Sequence, residues 1–263
     1  MRTELGIWPV RVEAEKLGEV LAQRLGGELI RPWRDFEPAE TLSQKALFQE
    51  QFGQRSQWVL VMATGIAARF IDGMLRDKHQ DPAVVVLDEA GRHAIALVGG
   101  HEGGANALAY RVANAVGAIP VVTTATEAVK PLVVGIGCRK GVSEEQIERA
   151  VRHALGRGSA GAAADDLAGI REVVTVDLKA EEPGLVAFCQ RHGIPMRVIS
   201  KQQIEARPWV SKPSEWVRQS VGLDGVCEPC ALIASARGRL VVPKTTLDGV
   251  AVAIVADEWE FGS

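Results

Sequence analysis

The chain lacks the features that would tie it to nucleic acid, to a membrane or to a disulfide scaffold. It has 30 Lys+Arg against 33 Asp+Glu, a net charge of −3 and no basic tract. Without basic residues interleaved with aromatics, nothing offers a phosphate backbone a footing, so no nucleic-acid partner is expected. No apolar run approaches the ~18 residues of a membrane span. Met1–Val10 has no basic stretch followed by an apolar one, so no signal peptide is read there. Four cysteines in 263 residues are too few for a disulfide framework. A cytoplasmic, reduced, soluble protein is expected, with no membrane role. Internal repeats are also missing. The remainder is ordinary: 47% hydrophobic and 24% charged, enough for one large or two medium domains.

Short apolar runs alternate with helical patterns from end to end. Strands are expected at Thr3–Val10, Trp58–Ala63, Ala83–Leu87, His93–Val98, Ile119–Val122, Leu132–Ile136, Val173–Asp177, Met196–Ile199, Arg239–Val242 and Val250–Val255. Ala83–Leu87 and His93–Val98 are expected to form a hairpin through Asp88-Glu89-Ala90-Gly91. Helices are expected at Glu13–Leu25, Ile66–Leu75, Ala105–Val116 and Gly184–His192, and from Ser143, where Ser143 and Gln146 make a capping box. Gly156–Ala164 reads as small and flexible. The pattern restarts after Glu127–Pro131. The expected fold class is therefore α/β: two layered α/β domains, 1–129 and 130–263, with mostly parallel or mixed sheets flanked by helices.

The most informative segment is Leu97–Asn106, LVGGHEGGAN, between a strand and a helix. Gly99, Gly100, Gly103 and Gly104 expose backbone N–H groups, and His101 adds an imidazole, the side chain suited to acid–base chemistry. The alternative is a tight turn whose glycines serve geometry alone. Thr64-Gly65 opens another helix, either as its cap or as a ligand contact. Asp88-Glu89 are solvated turn carboxylates, or they orient His101 if the hairpin tip folds over the pocket. Thr123, Thr124 and Thr126 fit a strand end that binds ligand, or an edge strand turning into a loop. Gly135-Ile136-Gly137-Cys138-Arg139-Lys140-Gly141 sits where a dinucleotide loop would, with Asp165 or Asp166 downstream, but its spacing is not G-x-G-x-x-G and it is no Walker A. Arg139 and Lys140 still suit a polyanion. Cys227 and Cys230 form one CxxC, half of a structural zinc set and without a thioredoxin context; they read mainly as small buried residues opening a helix. His79, His93, His153 and His192 are assigned no role.

These residues resemble a known family. Val61-Met62-Ala63-Thr64-Gly65-Ile66, Asp77-Lys78, Asp81-Pro82-Ala83-Val84, Asp88-Glu89-Ala90-Gly91, the GGHEGGAN loop and Pro120–Thr126 are similar to the N-terminal half of the CbiG family of cobalamin biosynthesis. Val134–Gly141, Asp177–Leu185, Gly225-Val226, Ala231-Leu232, Val242-Pro243-Lys244 and Gly249–Ala253 are similar to the CobE/CbiG C-terminal domain. Two departures stand out. Thr126 runs almost directly into Leu132, without the middle segment usual in the family, and cysteines occupy 227 and 230 where small aliphatics are usual. The resemblance implies a cobalt-precorrin-5A hydrolase, which opens the ring A δ-lactone of a cobalt-bearing tetrapyrrole and releases acetaldehyde by carbon–carbon cleavage. It implies no cofactor, the cobalt arriving with the substrate. Under it, His101 is the acid or base, Glu102 or Asp88 orients it, and the Gly103 and Gly104 amides hold an oxyanion. Thr64, Gly65, Gly100, Asn106, Thr123 and Thr124 complete the substrate contacts. Carboxylate arms meet Arg139, Lys140, Lys179 and Lys244, with Arg69 and Lys78 as further candidates. Other pathway enzymes and a second copy of the chain are the remaining candidate partners. A tetrapyrrole carrier without chemistry is the alternative, and a dinucleotide-dependent oxidoreductase on the 135–141 loop the third reading.

Overall fold

The computed structural model describes residues 3–36, 42–157 and 167–257. The chain divides into two compact units, residues 1–124 and 125–263. In the first, the order along the chain is β1 (Thr3–Pro9), α1 (Glu15–Leu25), β2 (Glu28–Leu29), α2 (Gln44–Phe52), β3 (Arg55–Val61), α3 (Thr64–Ile71), β4 (Ala83–Leu87), β5 (His93–Val98), α4 (Ala105–Val116) and β6 (Ile119–Val121). The sheet runs β2-β1-β3-β4-β5-β6. It is mixed: β1, β3 and β4 are parallel, and β5 reverses against β4 with β6 parallel to it.

The near-continuous apolar runs of β1, β3 and β4 are explained by burial on both faces. Ile7, Val59, Val61, Val85 and Leu87 pack under α1 and α4 with Leu21, Leu108 and Val112. Trp8, Trp58, Leu60, Val84 and Val86 pack under α2 and α3 with Phe48, Phe52 and Phe70. Trp58 donates its indole N–H to the Phe52 carbonyl at 2.9 Å, and the Arg55 guanidinium lies 5.0 Å from its ring centre. Gly6 leaves room for that stack: a Cβ there would lie 2.5 Å from both Arg55 Cδ and the Trp58 ring. Gly6→Ala is expected to cost roughly 1–3 kcal/mol by overpacking, seen as a lower urea midpoint at unchanged slope.

The second unit contains α5 (Ala125–Ala128), β7 (Leu132–Cys138), α6 (Glu144–Leu155), β8 (Ile170–Val176), α7 (Pro183–His192), β9 (Met196–Ile199), α8 (Lys201–Glu205), α9 (Glu215–Val221), α10 (Cys227–Ala234), β10 (Arg239–Leu247) and β11 (Val250–Ala256). Its sheet runs β10-β11-β7-β8-β9, with β7, β8 and β9 parallel and β11 antiparallel to both neighbours. Helices α6 and α7 cover one face through Ile147, Val151, Leu185 and Phe188. Helices α8 and α10 cover the other through Ile204, Cys230 and Ala231. The Ser143–Gln146 capping box forms as expected. Asp165 and Asp166, and most of Gly156–Ala164, lie outside the described residues.

Asp257 closes β11 by accepting from Arg171 at 3.1 Å and Arg237 at 2.5 Å. Burial works against its ionisation, but the hydrogen bonds and charges of Arg171 and Arg237 outweigh it and hold the carboxyl below its usual value. The native state thus binds that proton less readily than the unfolded chain. The stabilisation is complete above the ordinary carboxylate range near pH ~4 and is lost as pH falls through it. The urea midpoint should fall on acidification below about pH 4, and less steeply in Asp257→Asn.

Candidate active site and anion-binding cleft

All four loop glycines in the first unit are structurally required. Gly99 and Gly104 have φ of 75° and 85°, in the left-handed region. A Cβ on Gly100 would lie 2.5 Å from Thr124 Cγ2, and one on Gly103 2.8 Å from the Gly99 carbonyl. The loop folds back on its helix. The first-turn amides of Ala105 and Asn106 donate to the carbonyls of Gly99 and Gly100 at 3.1 and 3.0 Å. Those amides are therefore spent, and the cradle expected at the helix start narrows to two groups. The N–H groups of Gly103 and Gly104 have no protein acceptor among the described residues. The Asn106 side-chain amide donates to Thr124 Oγ1 at 3.0 Å, tying β6's exit to the loop and bringing Thr123 and Thr124 beside it.

His101 is exposed, and its imidazole has no partner among the described residues. Glu102 does not orient it. Its carboxylate meets Lys78 Nζ at 3.2 Å and His79 Nδ1 at 2.9 Å. His79, assigned no role from sequence, is thus part of the cluster. Its loop is built by carboxylates: Asp81 accepts from the amides of Arg76 and Asp77, and Asp77 from that of His79. The Asp77-Lys78 and Asp81-Pro82 pairs could have signalled this loop.

Asp88 is at the other end of the sheet. Leu87 pairs with Ala94 and Val84 with Val98, so the hairpin turn and the glycine loop leave β5 at opposite ends. Four residues of strand separate those levels, about 13 Å. Asp88 instead accepts from the amides of Arg92 and His93 at 2.8 and 2.7 Å. Burial opposes its ionisation, yet the backbone hydrogen bonds from His93, Arg92 and Ala90 hold its carboxyl below the usual range. It is a turn cap and does not orient His101. Thr64 and Gly65 share Asp88's end, because Val61 pairs with Leu87. Thr64 is the first residue of α3 and Ala63 is the N-cap, with no side-chain cap bond. The sequence-expected site therefore divides into His101, Glu102, Gly100, Gly103, Gly104, Asn106, Thr123 and Thr124 on one side and Thr64, Gly65 and Asp88 on the other.

The second unit brings together what the sequence keeps apart. Arg139 and Lys140 leave β7, Lys179 follows β8, and Lys244 stands on β10; all four line one cleft of about 620 Å³. Val176, Val217, Val226 and Val250 give it apolar walls. The cleft lies at the carboxyl ends of parallel strands, where open α/β sheets bind ligands. Lys179 is held by Glu182 at 3.2 Å, and Glu182 also accepts from the Gly141 amide at 2.6 Å. Lys140 and Lys244 have no ion-pair partner among the described residues. In the first unit, Arg69 stands exposed on α3 and Lys78 is engaged with Glu102.

Gly135 and Gly137 do not form a phosphate-binding loop. Both lie inside β7, under the start of α10. A Cβ on Gly135 would collide with the Cys227 carbonyl, and one on Gly137 would lie 3.2 Å from Val226 Cβ. These glycines let helix and strand approach. Cys227 and Cys230 do open α10, buried. Burial pushes the Cys138 thiol up to about 11 and Cys227 up to about 12, and Cys230 rises too, so none is a ready thiolate. No metal-ligating cluster occurs among the described residues, and among them no helix is long and apolar enough to cross a membrane. Sequence reasoning missed Glu228, which is 1% exposed beside this cleft.

Residues 46–127 match the family described as Cobalamin synthesis G N-terminal, and residues 132–255 match Cobalamin synthesis G C-terminus. The cobalt-precorrin-5A hydrolase of Salmonella typhimurium is 48% identical over 79 residues, 30% of this chain but only 22% of that protein. The cobalt-precorrin-5A hydrolase of Priestia megaterium is 21% identical over 310 aligned positions, 81% of each chain. Protein CobE of Sinorhizobium sp is 31% identical over 132 residues, 50% of this chain and 82% of that one. With one match for each half, and a relative largely spanned by the second, the chain belongs to the cobalamin synthesis G family and carries both its N-terminal and its C-terminal domain.

Proposed function

We propose that this protein is a cobalt-precorrin-5A hydrolase of cobalamin biosynthesis. The observation that carries the reading is the juxtaposition, in one loop, of an exposed imidazole without a protein partner, His101, and two N–H groups without an acceptor, Gly103 and Gly104. Lactone opening needs a base for water and donors for the oxygen that becomes negative. Two of the relatives bear the hydrolase name.

The substrate is a partly methylated, cobalt-bearing tetrapyrrole whose ring A acetate is closed as a δ-lactone. Water loses a proton to His101 as its oxygen bonds to the lactone carbonyl carbon, and the Gly103 and Gly104 amides take up the negative oxygen. The acyl C–O bond then breaks, leaving a ring A carboxylate and a hydroxyl on the two-carbon unit. Removal of the hydroxyl proton forms the acetaldehyde carbonyl as the C–C bond breaks, and that electron pair passes into the macrocycle. The enzyme is thus a hydrolase whose second step cleaves carbon–carbon, with cobalt supplied by the substrate. Glu102, bound to Lys78 and His79, fixes the flank of the loop. In the second unit, Arg139, Lys140, Lys179 and Lys244 bind acetate or propionate arms against the apolar walls of their cleft.

Reaction in ¹⁸O-water tests the first step. The expected product carries one ¹⁸O in its new carboxylate, about 2 Da heavier than product made in ordinary water. A carrier without chemistry would return the lactone unlabelled and intact, and that result would displace the hydrolase reading.

A further inference from the structure

We infer that Glu228 is a positioning residue for the cleft of the second unit, setting the direction of Lys244 and the placement of the Ser214 wall. This rests on the reading that the cleft binds carboxylate arms. Glu228 is the second residue of α10, 1% exposed. Its carboxylate accepts from the Ser211 amide at 2.8 Å, the Ser211 hydroxyl at 2.5 Å and the Lys244 amide at 2.9 Å. A buried carboxylate needs such donors, and the start of a helix favours its charge. What matters is which donors it has chosen.

Lys244 lies in a bulge. From Val242 to Thr245 β10 advances three residues while β11 advances two, from Ile254 to Val252. An extra residue unpairs the ladder and re-aims a side chain. Pro243 has no N–H to offer, and the Lys244 N–H is taken by Glu228. The carboxylate therefore anchors the backbone of a residue that lines the cleft. The same carboxylate grips Ser211 through both oxygens, three residues before Ser214, which lines the cleft and caps α9 ahead of Val217. One buried group thus holds two walls that come from segments 30 residues apart in sequence. The carboxylate thus fixes the backbone of one cleft-lining residue, Lys244, and of the segment that leads into another, Ser214.

The test is binding of uroporphyrin III, an octacarboxylic tetrapyrrole, to the full chain by fluorescence titration at low salt. Lys244→Ala is expected to weaken binding about tenfold, the loss of one charge-assisted contact. Glu228→Gln keeps the volume but cannot accept from both amides, and should weaken binding by a similar factor. The double variant should bind as Lys244→Ala does, within about twofold, because of the two walls that Glu228 holds only Lys244 brings charge to a carboxylate arm. Additive losses, or wild-type binding by Glu228→Gln beside a weakened Lys244→Ala, would overturn the positioning role and leave the cleft reading standing. Wild-type binding by Lys244→Ala and by Arg139→Ala/Lys140→Ala would sink the cleft reading, and this inference with it. If Glu228→Gln fails to fold, the unmodified protein decides by NMR. The Lys244 amide should be protected from exchange and shifted downfield, and should move when uroporphyrin binds; rapid exchange of that amide would overturn the proposal.

Discussion

His101→Ala should lower turnover of cobalt-precorrin-5A by roughly 10²–10⁴-fold, the usual worth of a positioned acid or base. KM should change little, and so should the melting temperature, because the imidazole is exposed and bonded to nothing among the described residues. The controls are built into the geometry. His79→Ala removes the Nδ1 contact to Glu102 at 2.9 Å and should cost only a few-fold, since exposed pairs of this kind contribute little. Asp88→Asn should leave turnover near wild type, because the antiparallel pairing of β5 puts Asp88 at the far end of the sheet. It should instead loosen the hairpin whose amides Asp88 accepts. A fully active His101→Ala together with an inactive His79→Ala would transfer the proton-moving role to His79, whose ring already has an orienting carboxylate.

Gly135→Val is expected to cost roughly 3 kcal/mol or more, the upper end of overpacking, because its Cβ collides with a backbone carbonyl, that of Cys227, which no rotamer change relieves. β7 is the central strand of its sheet and Gly135 packs beneath α10, so the two must separate or the unit fails to form. Gly137→Ala meets Val226 Cβ at 3.2 Å and should be milder, on the order of 1 kcal/mol. Urea unfolding measures both. A dinucleotide loop would behave otherwise: the variant would stay stable and lose nucleotide affinity. Wild-type stability in Gly135→Val would show that helix and strand do not approach as described.

These two cases show where the amino-acid pattern is informative. Helix α6 was legible because its stripe of Ile147, Val151 and Leu155 and its Ser143 capping box are local. The clustering of Arg139, Lys140, Lys179 and Lys244 was legible only through resemblance, since three segments far apart in the chain meet there. Gly135 and Gly137 were ambiguous, because a glycine that admits a helix and one that cradles a phosphate look alike in sequence. Helices α2, α8 and α9 went unread: they are short, and their burial is decided by the sheet face they cover. The placement of Asp88 was readable in principle. A hairpin over 83–98 already sends its turn and its exit in opposite directions, and the idea of a tip folding over the pocket set that geometry aside. Glu228 carried no local signal, because its donors, Ser211 and Lys244, are fixed only by the fold.

The central claim is hydrolysis with loss of a two-carbon unit, and the most direct measurement is acetaldehyde itself. The purified chain is incubated with cobalt-precorrin-5A, and the volatile product is trapped as a hydrazone and counted against substrate consumed. One acetaldehyde per substrate, abolished in His101→Ala, is the expected result. Saturable binding of the tetrapyrrole with no acetaldehyde released would contradict it and make the protein a carrier.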